Sequence, residues 1–308
     1  MNIALTGASG FIGRHLKNAI SKLAGVNLIL IVRNKDNSVN NNQLSFQEFF
    51  DIKSNIQIDL FIHLASPNLD YAKDDSIEEG IVNLTKNIIE TIPKYNCFRF
   101  IYFSSGKVYG EPSLNNIIFD ELHDLNPVTD YAKSKLIAEK LIKKDSIKHG
   151  INYLIYRLPF VYGPGMKSNL NLILKFIDRS FPIFILNKES NLKKSFLSIE
   201  NIRKIILHNI GNDSSINNQI INIADLEPIS LTDFMQLYKA KVSSKSFFIP
   251  INSTLFKFLT KLPILGRLFI KVFGNFQLDN KKIKNILKED IISTERGIVT
   301  DIKDNLEV

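Results

Sequence analysis

The segment Thr6-Gly7-Ala8-Ser9-Gly10-Phe11-Ile12-Gly13 constrains this chain more than any other stretch of it. It follows the strand-like run Asn2-Ile3-Ala4-Leu5 and opens a stretch in which Ile12, Leu16, Ala19, Ile20 and Leu23 recur at helical spacing. Gly7 permits a tight turn off a strand, Gly10 lets the backbone approach a pyrophosphate, and Gly13 lets the helix pack close to the sheet. The amino terminus of that helix attracts phosphate. In this context the glycines point to a dinucleotide site within a βαβ unit, with Phe11 and Ile12 among its contacts.

The first half continues in the same rhythm. Val26 to Val32, Asp59 to Leu64, Phe98 to Phe103 and Ile151 to Leu158 read as successive strands, and Ile77, Ile81, Leu84, Ile88 and Ile92 recur at helical spacing. Asn34 to Asn42 is polar and turn-like. Strands alternating with helices predict an α/β fold, a doubly wound parallel sheet of Rossmann type. After Pro164 the segments become longer and more helical, so a dinucleotide-binding domain over 1–165 and a smaller, mostly helical substrate-binding region over 166–308 are expected. Short strands at Ser195 to Ile199 and Gln219 to Ala224 are expected to return to the main sheet or flank it.

At 308 residues, 44% hydrophobic and 23% charged, the chain can bury a substantial core. A single cysteine, Cys97, excludes an internal disulfide framework and a cysteine-rich zinc site, and the five scattered histidines lack metal-ligand spacing. No metal is expected. No basic and apolar leader precedes the first strand, and Lys257, Lys261, Arg267 and Lys271 interrupt the most apolar region, so no transmembrane segment and a cytoplasmic location are expected. The formal charge of +8 is dispersed rather than clustered. It suits anionic nucleotides or loose contact with acidic lipid, and no nucleic-acid partner is expected.

Tyr131-Ala-Lys-Ser-Lys135 places a phenol and an ammonium one helical turn apart on one face. The cation is expected to favour the phenolate, as proton transfer near neutrality requires of a group that ionises near pH 10. With a nucleotide site, such a pair points to hydride chemistry on a nicotinamide cofactor. An acid would normally hold the NAD ribose at the end of the second strand, where this chain has Arg33. A guanidinium suits the 2′-phosphate of NADP, so NADP(H) is favoured, with NAD retained because Asp36 lies close enough to take the acid's place.

The glycine motif, His63-Leu64-Ala65-Ser66, Ser104-Ser105-Gly106-Lys107-Val108-Tyr109-Gly110, Tyr131 to Lys135 and Arg157-Leu-Pro-Phe-Val-Tyr-Gly-Pro-Gly165 together resemble the extended short-chain dehydrogenase/reductases. More narrowly they resemble the nucleotide-sugar epimerases and 4-ketoreductases of the NAD-dependent epimerase/dehydratase family. The resemblance assigns Ser105, Tyr131 and Lys135 to catalysis, with Tyr131 and Lys135 also touching the cofactor beside Gly7, Gly10, Phe11, Ile12, Gly13, Arg33, Leu64 and Ala65. It assigns Ser105, Lys107, Tyr131, Asn169 and Lys194 to the substrate, which it implies is a UDP-sugar. Lys193 and Lys194 read either as a solvated pair or as diphosphate contacts, and their place in the family pattern favours Lys194. A homodimer through the helices after the fourth and fifth strands is a further implication.

Dehydratases of the resembling family carry an Asp-Glu pair directly after the catalytic hydroxyl residue, where this chain has Gly106 and Lys107. Elimination of water is therefore not expected. Other departures are Thr85-Lys-Asn87 where a glycine is usual, and Ile286-Leu-Lys288 where Leu-Gly-Trp is common. The resulting expectation is an NADPH-dependent 4-ketoreductase of a UDP-4-keto-6-deoxy-N-acetylhexosamine in surface-polysaccharide synthesis. The alternatives are a UDP-glucose or UDP-N-acetylglucosamine 4-epimerase with tightly bound NAD, and a non-catalytic NADP-sensing or scaffold protein. The apolar stripe Leu255, Phe256, Phe258, Leu259 and Leu262 reads as core or as a lid over the sugar, in preference to a membrane or partner surface.

Overall fold

The computed structural model describes residues 1–35, 42–52, 56–66, 77, 79–166, 169–187, 191–212 and 217–302. Asp36 lies outside them. In chain order the strands are β1 (Asn2–Thr6), β2 (Asn27–Val32), β3 (Gln43–Ser45), β4 (Leu60–His63), β5 (Arg99–Ser105), β6 (Ile118–Phe119), β7 (Asn152–Leu158) and β8 (Phe160–Tyr162). Then come β9 (Ile183–Leu186), β10 (Phe196–Ser198), β11 (Gln219–Asn222), β12 (Phe248–Ile251) and β13 (Gln277–Leu278).

A seven-stranded sheet is ordered β3-β2-β1-β4-β5-β7-β11, with parallel pairing from β3 across to β7. Such strands are covered on both faces, so they read as near-continuous apolar runs. Every residue of β4 is buried, as are Ile3, Ala4, Leu5 and Thr6 of β1. The chain moves outward in opposite directions from β1 and β4, which creates the switch point where doubly wound folds bind ligands. Helix Phe11–Ile20 buries Gly13, Leu16, Ala19 and Ile20. The stripe around Ile88 forms helix Leu84–Thr91, preceded by a π-helical turn, Glu79–Asn83.

Helix Asp130–His149 is capped by the Thr129 hydroxyl, which accepts from the Ala132 amide at 3.2 Å, and it ends at Gly150 in the left-handed region. Its buried face mixes Ala132, Ala138 and Ile142 with Ser134, Lys135 and Glu139. Ionisable groups on an inner face need local partners or shifted protonation equilibria.

The expected boundary at 165/166 is corrected by the tertiary structure. One compact unit comprises 1–109, 125–158 and 203–221, and the other comprises 110–124, 159–202 and 222–308. The chain returns to the first because β11 takes its place beside β7 in the sheet order. Between its helices the second unit carries short strand pairs, β8 with β10, β9 with β12 and β6 with β13, of which only β10 was expected. Strands this short show too few alternations for a period to be read.

The core-or-lid reading of the carboxy-terminal stripe holds only in part. Helix Ser253–Thr260 buries Phe256 yet leaves Leu255 46% and Phe258 61% exposed. Among the described residues no helix is long and apolar enough to cross a membrane.

The second unit is organised around a buried carboxylate. Asp225 accepts from the Tyr162 hydroxyl at 2.8 Å, the Ser198 amide at 2.8 Å, the Asn201 side chain at 2.7 Å and the Thr294 hydroxyl at 2.9 Å. The Ser198 hydroxyl donates to Asp301 at 2.8 Å. Burial nevertheless pushes both acids up to about 6 from an ordinary 3.8. Because the folded values are raised, the stability these groups contribute is full below 3.8 and is lost as pH rises through about 6. Asp301→Asn keeps an acceptor for Ser198 without the titration. Urea titrations across this window are expected to show a smaller loss of stability with rising pH in that variant than in the parent chain.

Candidate active site

At the end of β1 the backbone turns with Gly7 at φ +71°. A Cβ there would lie 2.8 Å from the Ala65 nitrogen and 2.9 Å from the Leu64 carbonyl carbon, so the position requires glycine for both conformation and space. Gly13 is more tightly constrained, because its Cβ would stand 2.0 Å from the Gly7 carbonyl oxygen. Its close approach is thus to the turn itself. Gly10 donates its amide to Gly7 at 2.9 Å and forms the N-cap of helix Phe11–Ile20, with no side chain to cap the first-turn amides. Uncapped amides at the positive end of a helix dipole, on the switch-point side of β1, fit a dinucleotide pyrophosphate.

Thr6 joins this turn to the end of β4. Its hydroxyl oxygen accepts from the Leu64 and Ala65 amides, each at 3.1 Å, and meets His63 Nδ1 at 2.7 Å. His63 Nε2 meets the Thr85 hydroxyl at 3.2 Å, and that hydroxyl donates to the Ile81 carbonyl at 2.6 Å in the π-helical turn. Burial, reinforced by the Lys135 charge, lowers His63 to about 3, so its imidazole is neutral. The hydrogen bonds assign its proton to Nε2, with Thr6 donating to Nδ1. Thr85, which stands in the segment where the family usually has a glycine, therefore closes a buried proton-ordered chain behind Leu64 and Ala65.

Ser105 ends β5, and Tyr131 is the second residue of helix Asp130–His149. The Ser105 side chain neighbours the Tyr131 phenol and favours its ionised form, and the Lys107 amide donates to the Ser105 hydroxyl at 3.2 Å. The ammonium of Lys135 lies 5.8 Å from the Tyr131 ring centroid and 4.6 Å from that of Tyr102, and it donates to the Phe103 carbonyl at 2.9 Å. The expected pairing is geometric, but its expected effect on the phenol is corrected. Burial pushes Tyr131 up to about 12 despite the neighbouring Ser105, and it brings Lys135 down to about 7 against the pull of Glu139. Desolvation outweighs an ammonium at this distance. Tyr131 is held as the neutral phenol, with the amino-terminal helix dipole favouring its ionisation.

Glu139 and Arg157 form a second buried group. The Arg157 guanidinium donates to both Glu139 oxygens at 3.0 and 2.6 Å and to the Tyr109 hydroxyl at 2.8 Å, and Ser104 donates to Glu139 at 2.5 Å. Both charged side chains are 2% exposed. A paired, hydrogen-bonded guanidinium keeps its charge, so here pairing outweighs burial and Arg157 is raised above its usual value. The group ties β5, the turn Gly106–Tyr109 and β7 to the helix carrying Tyr131 and Lys135. No role was assigned to it from sequence, although Glu139 stands one helical turn beyond Lys135.

The remaining expected residues divide as follows. Phe11 and Ile12 begin the first helix, half-buried, and Leu64 and Ala65 are held by Thr6. Arg33 is exposed directly after β2. Lys107 reaches the group through its backbone, as above. In the second unit Asn169 starts helix Asn169–Asp178, its side chain lying outside the described residues. Lys194 is only 3% exposed, which overturns the solvated reading for that lysine. Its ammonium stands 3.4 Å from the Lys271 carbonyl and 5.2 Å from the Phe160 ring centroid, and burial lowers it to about 7 against the Glu111 charge. Among the described residues no metal-holding cluster of His, Cys, Asp or Glu occurs.

Arg157→Met strands a buried Glu139 carboxylate and is expected to cost about 3–5 kcal/mol of stability. The double variant with Glu139→Leu removes both charges and is expected to regain most of that loss in urea unfolding.

Residues 3–224 match the NAD dependent epimerase/dehydratase family model. A UDP-glucose 4-epimerase from Vibrio cholerae is 26% identical over 93% of this chain and 89% of its own length. A UDP-glucuronic acid 4-epimerase from Bacillus cereus, solved with NAD, superposes with a TM-score of 0.75 at 19% identity, covering 98% of this chain and 96% of that one. RMD from Pseudomonas aeruginosa, solved with NADPH, gives a TM-score of 0.74 at 17% identity, with 98% of each chain covered. Matched over most of its length and carrying the glycine turn with the Ser105, Tyr131 and Lys135 group, the chain belongs to the NAD dependent epimerase/dehydratase family and is an NAD(P)-dependent nucleotide-sugar enzyme.

Proposed function

We propose that the enzyme is a UDP-sugar 4-epimerase. The observation that carries this reading is the buried Tyr131 phenol beside Ser105, with Gly106 and Lys107 where elimination would need carboxylates. This equips the site for proton exchange on one oxygen. Ketoreduction rests mainly on Arg33, which stands exposed past β2. The likeness to an epimerase over nearly the whole chain supports epimerisation ahead of it.

A bound nicotinamide cofactor supplies reversible hydride acceptance at C4. Gly7, Gly10, Phe11, Ile12 and Gly13 are assigned its pyrophosphate, Leu64, Ala65 and Lys135 its nicotinamide half, and Arg33 the adenosine ribose. The phenolate form of Tyr131, reached by losing the phenol proton to solvent, would remove the proton of the C4 hydroxyl as that carbon is oxidised, and return it when the keto sugar has turned over. Ser105 hydrogen-bonds the same oxygen. Since burial keeps Tyr131 protonated, alcohol oxidation is expected to accelerate as pH rises from neutrality into the alkaline range.

Nucleotide recognition is assigned to the second unit. A cavity of about 350 Å³ there, lined in part by Leu114, Asn116, Leu186, Asn187, Ile251 and Phe256, is within the size range of small-molecule sites. Asn275 also lines it and accepts from the Lys193 amide at 2.7 Å, which places the Lys193-Lys194 backbone beside its wall. The buried Lys194 ammonium and Asn169 are assigned the UDP diphosphate. Homodimerisation through helices Leu84–Thr91 and Asp130–His149 belongs to the same reading.

Tyr131→Phe is expected to retain cofactor binding and to lose turnover by at least about a hundredfold, measured by NMR-detected interconversion of UDP-glucose with UDP-galactose and of UDP-N-acetylglucosamine with UDP-N-acetylgalactosamine. Unchanged turnover would remove the mechanism. A second reading, NADPH-dependent 4-ketoreduction of a UDP-4-keto-6-deoxy-N-acetylhexosamine in polysaccharide synthesis, is favoured by Arg33 and by a phenol already protonated. It predicts stoichiometric NADPH consumption with that substrate, no interconversion of the epimer pairs, and a selective loss of NADPH affinity in Arg33→Ser.

A further inference from the structure

Helix Ser253–Thr260 and helix Pro263–Phe273 form a hairpin joined only by Lys261 and Leu262. Gly266 locks the two together, since a Cβ at that position would lie 2.3 Å from the Thr260 carbonyl oxygen. On the inner side Phe256, Phe269 and Phe273 meet, with ring centroids 6.1 to 6.3 Å apart, and Phe256 faces the 350 Å³ cavity. The apolar needs of the hairpin's interior are met by these rings. Its outer side is not explained by them.

On that outer side Leu255, Phe258, Ile264, Leu265 and Leu268 are between 46% and 84% exposed. At about 100° per residue, Ile264, Leu268, Val272 and Leu265 fall within roughly one quadrant, and Arg267 and Lys271 border it directly. Lys261, in the two-residue link, extends the cationic border, and no acidic residue occurs between Ser253 and Phe273. Phe184 of β9, which pairs with β12, and Phe247, directly before β12, are each 59% exposed. Apolar side chains bordered by cations without a compensating acid match an acidic lipid interface, where the chains enter the acyl boundary and the cations meet anionic headgroups. A protein partner would be expected to require acids or hydrogen-bonding groups in a mixed rim. A spanning helix is excluded for this segment by its length and charge.

We propose that the outer face of the 253–273 hairpin is a peripheral docking surface for an acidic bilayer, which seats the enzyme on the membrane without inserting it. Co-sedimentation of the full chain is expected to be at least about tenfold stronger with phosphatidylcholine vesicles containing phosphatidylglycerol than with phosphatidylcholine alone, and to weaken with added salt. The triple variant Phe258→Ser, Ile264→Ser, Leu268→Ser and the double variant Lys261→Glu, Arg267→Glu should each lose about tenfold or more of that binding. Their circular dichroism and cofactor binding in solution should be unchanged, which separates surface loss from misfolding. Equal binding to neutral and acidic vesicles, or no binding to either, overturns the proposal. Concentration-dependent self-association abolished by the triple variant, without vesicle binding, overturns it in favour of an interface between copies of the chain.

Discussion

The close approach of two backbones, at the turn after β1 and the segment after β4, is the constraint on which the first unit depends. Gly7 faces the Leu64–Ala65 peptide at a distance no side chain would allow, and the Thr6 hydroxyl fills the remaining polar need by accepting both amides. Thr6 can accept twice because it donates to His63, and His63 can accept because it donates onward to Thr85. Each proton in the chain has one destination. A neutral imidazole at this depth is thus a consequence of both burial and geometry, and it keeps a second positive charge away from Lys135.

Helix Asp130–His149 shows how burial and pairing divide the ionisable groups among different tasks. Arg157 and Glu139 have each other and two hydroxyls, so their charges survive at 2% exposure and hold four elements together. Lys135 has a carbonyl and an aromatic face instead of a carboxylate in contact, and its affinity for a proton falls into the neutral range. Tyr131 has Ser105 and stays protonated. The titratable groups nearest the proposed chemistry are those left without a strong partner, which is where shifted equilibria are useful to catalysis.

The second unit distributes its polar groups differently. Asp225 gathers four donors from two strands and two helices, so segments distant in sequence share one carboxylate. The hairpin over 253–273 has two unlike sides, one satisfied by aromatic contacts against the cavity and one turned outward with its leucines and cations. Sequence periodicity reports the presence of an apolar stripe, and only packing decides which of its members are covered. Phe256 and Phe258 are two residues apart and have opposite fates, at 6% and 61% exposure.

The parallel sheet, the glycine turn and the spacing of Tyr131 and Lys135 were legible in the sequence, because each rests on local rules of periodicity, conformational freedom or helical spacing, whereas Ser105 joined them only through resemblance to the family. Strand positions were read to within one or two residues for the long apolar runs of the first unit. Of the short strands of the second unit, β10 was legible as the apolar run near Ser195 to Ile199, and the others were not, because two to four residues carry no readable period. The return of β11 to the sheet was legible as a short apolar run, whereas the interleaving of the two units was not, because it depends on which distant segments pack together. The roles of His63, Glu139 and Arg157 were likewise invisible, since their partners come from other elements. Sequence alone determined which groups could do chemistry and in what local frame. Tertiary structure decided which of them keep their charge, because desolvation and hydrogen bonding depend on what the rest of the chain brings within a few ångströms.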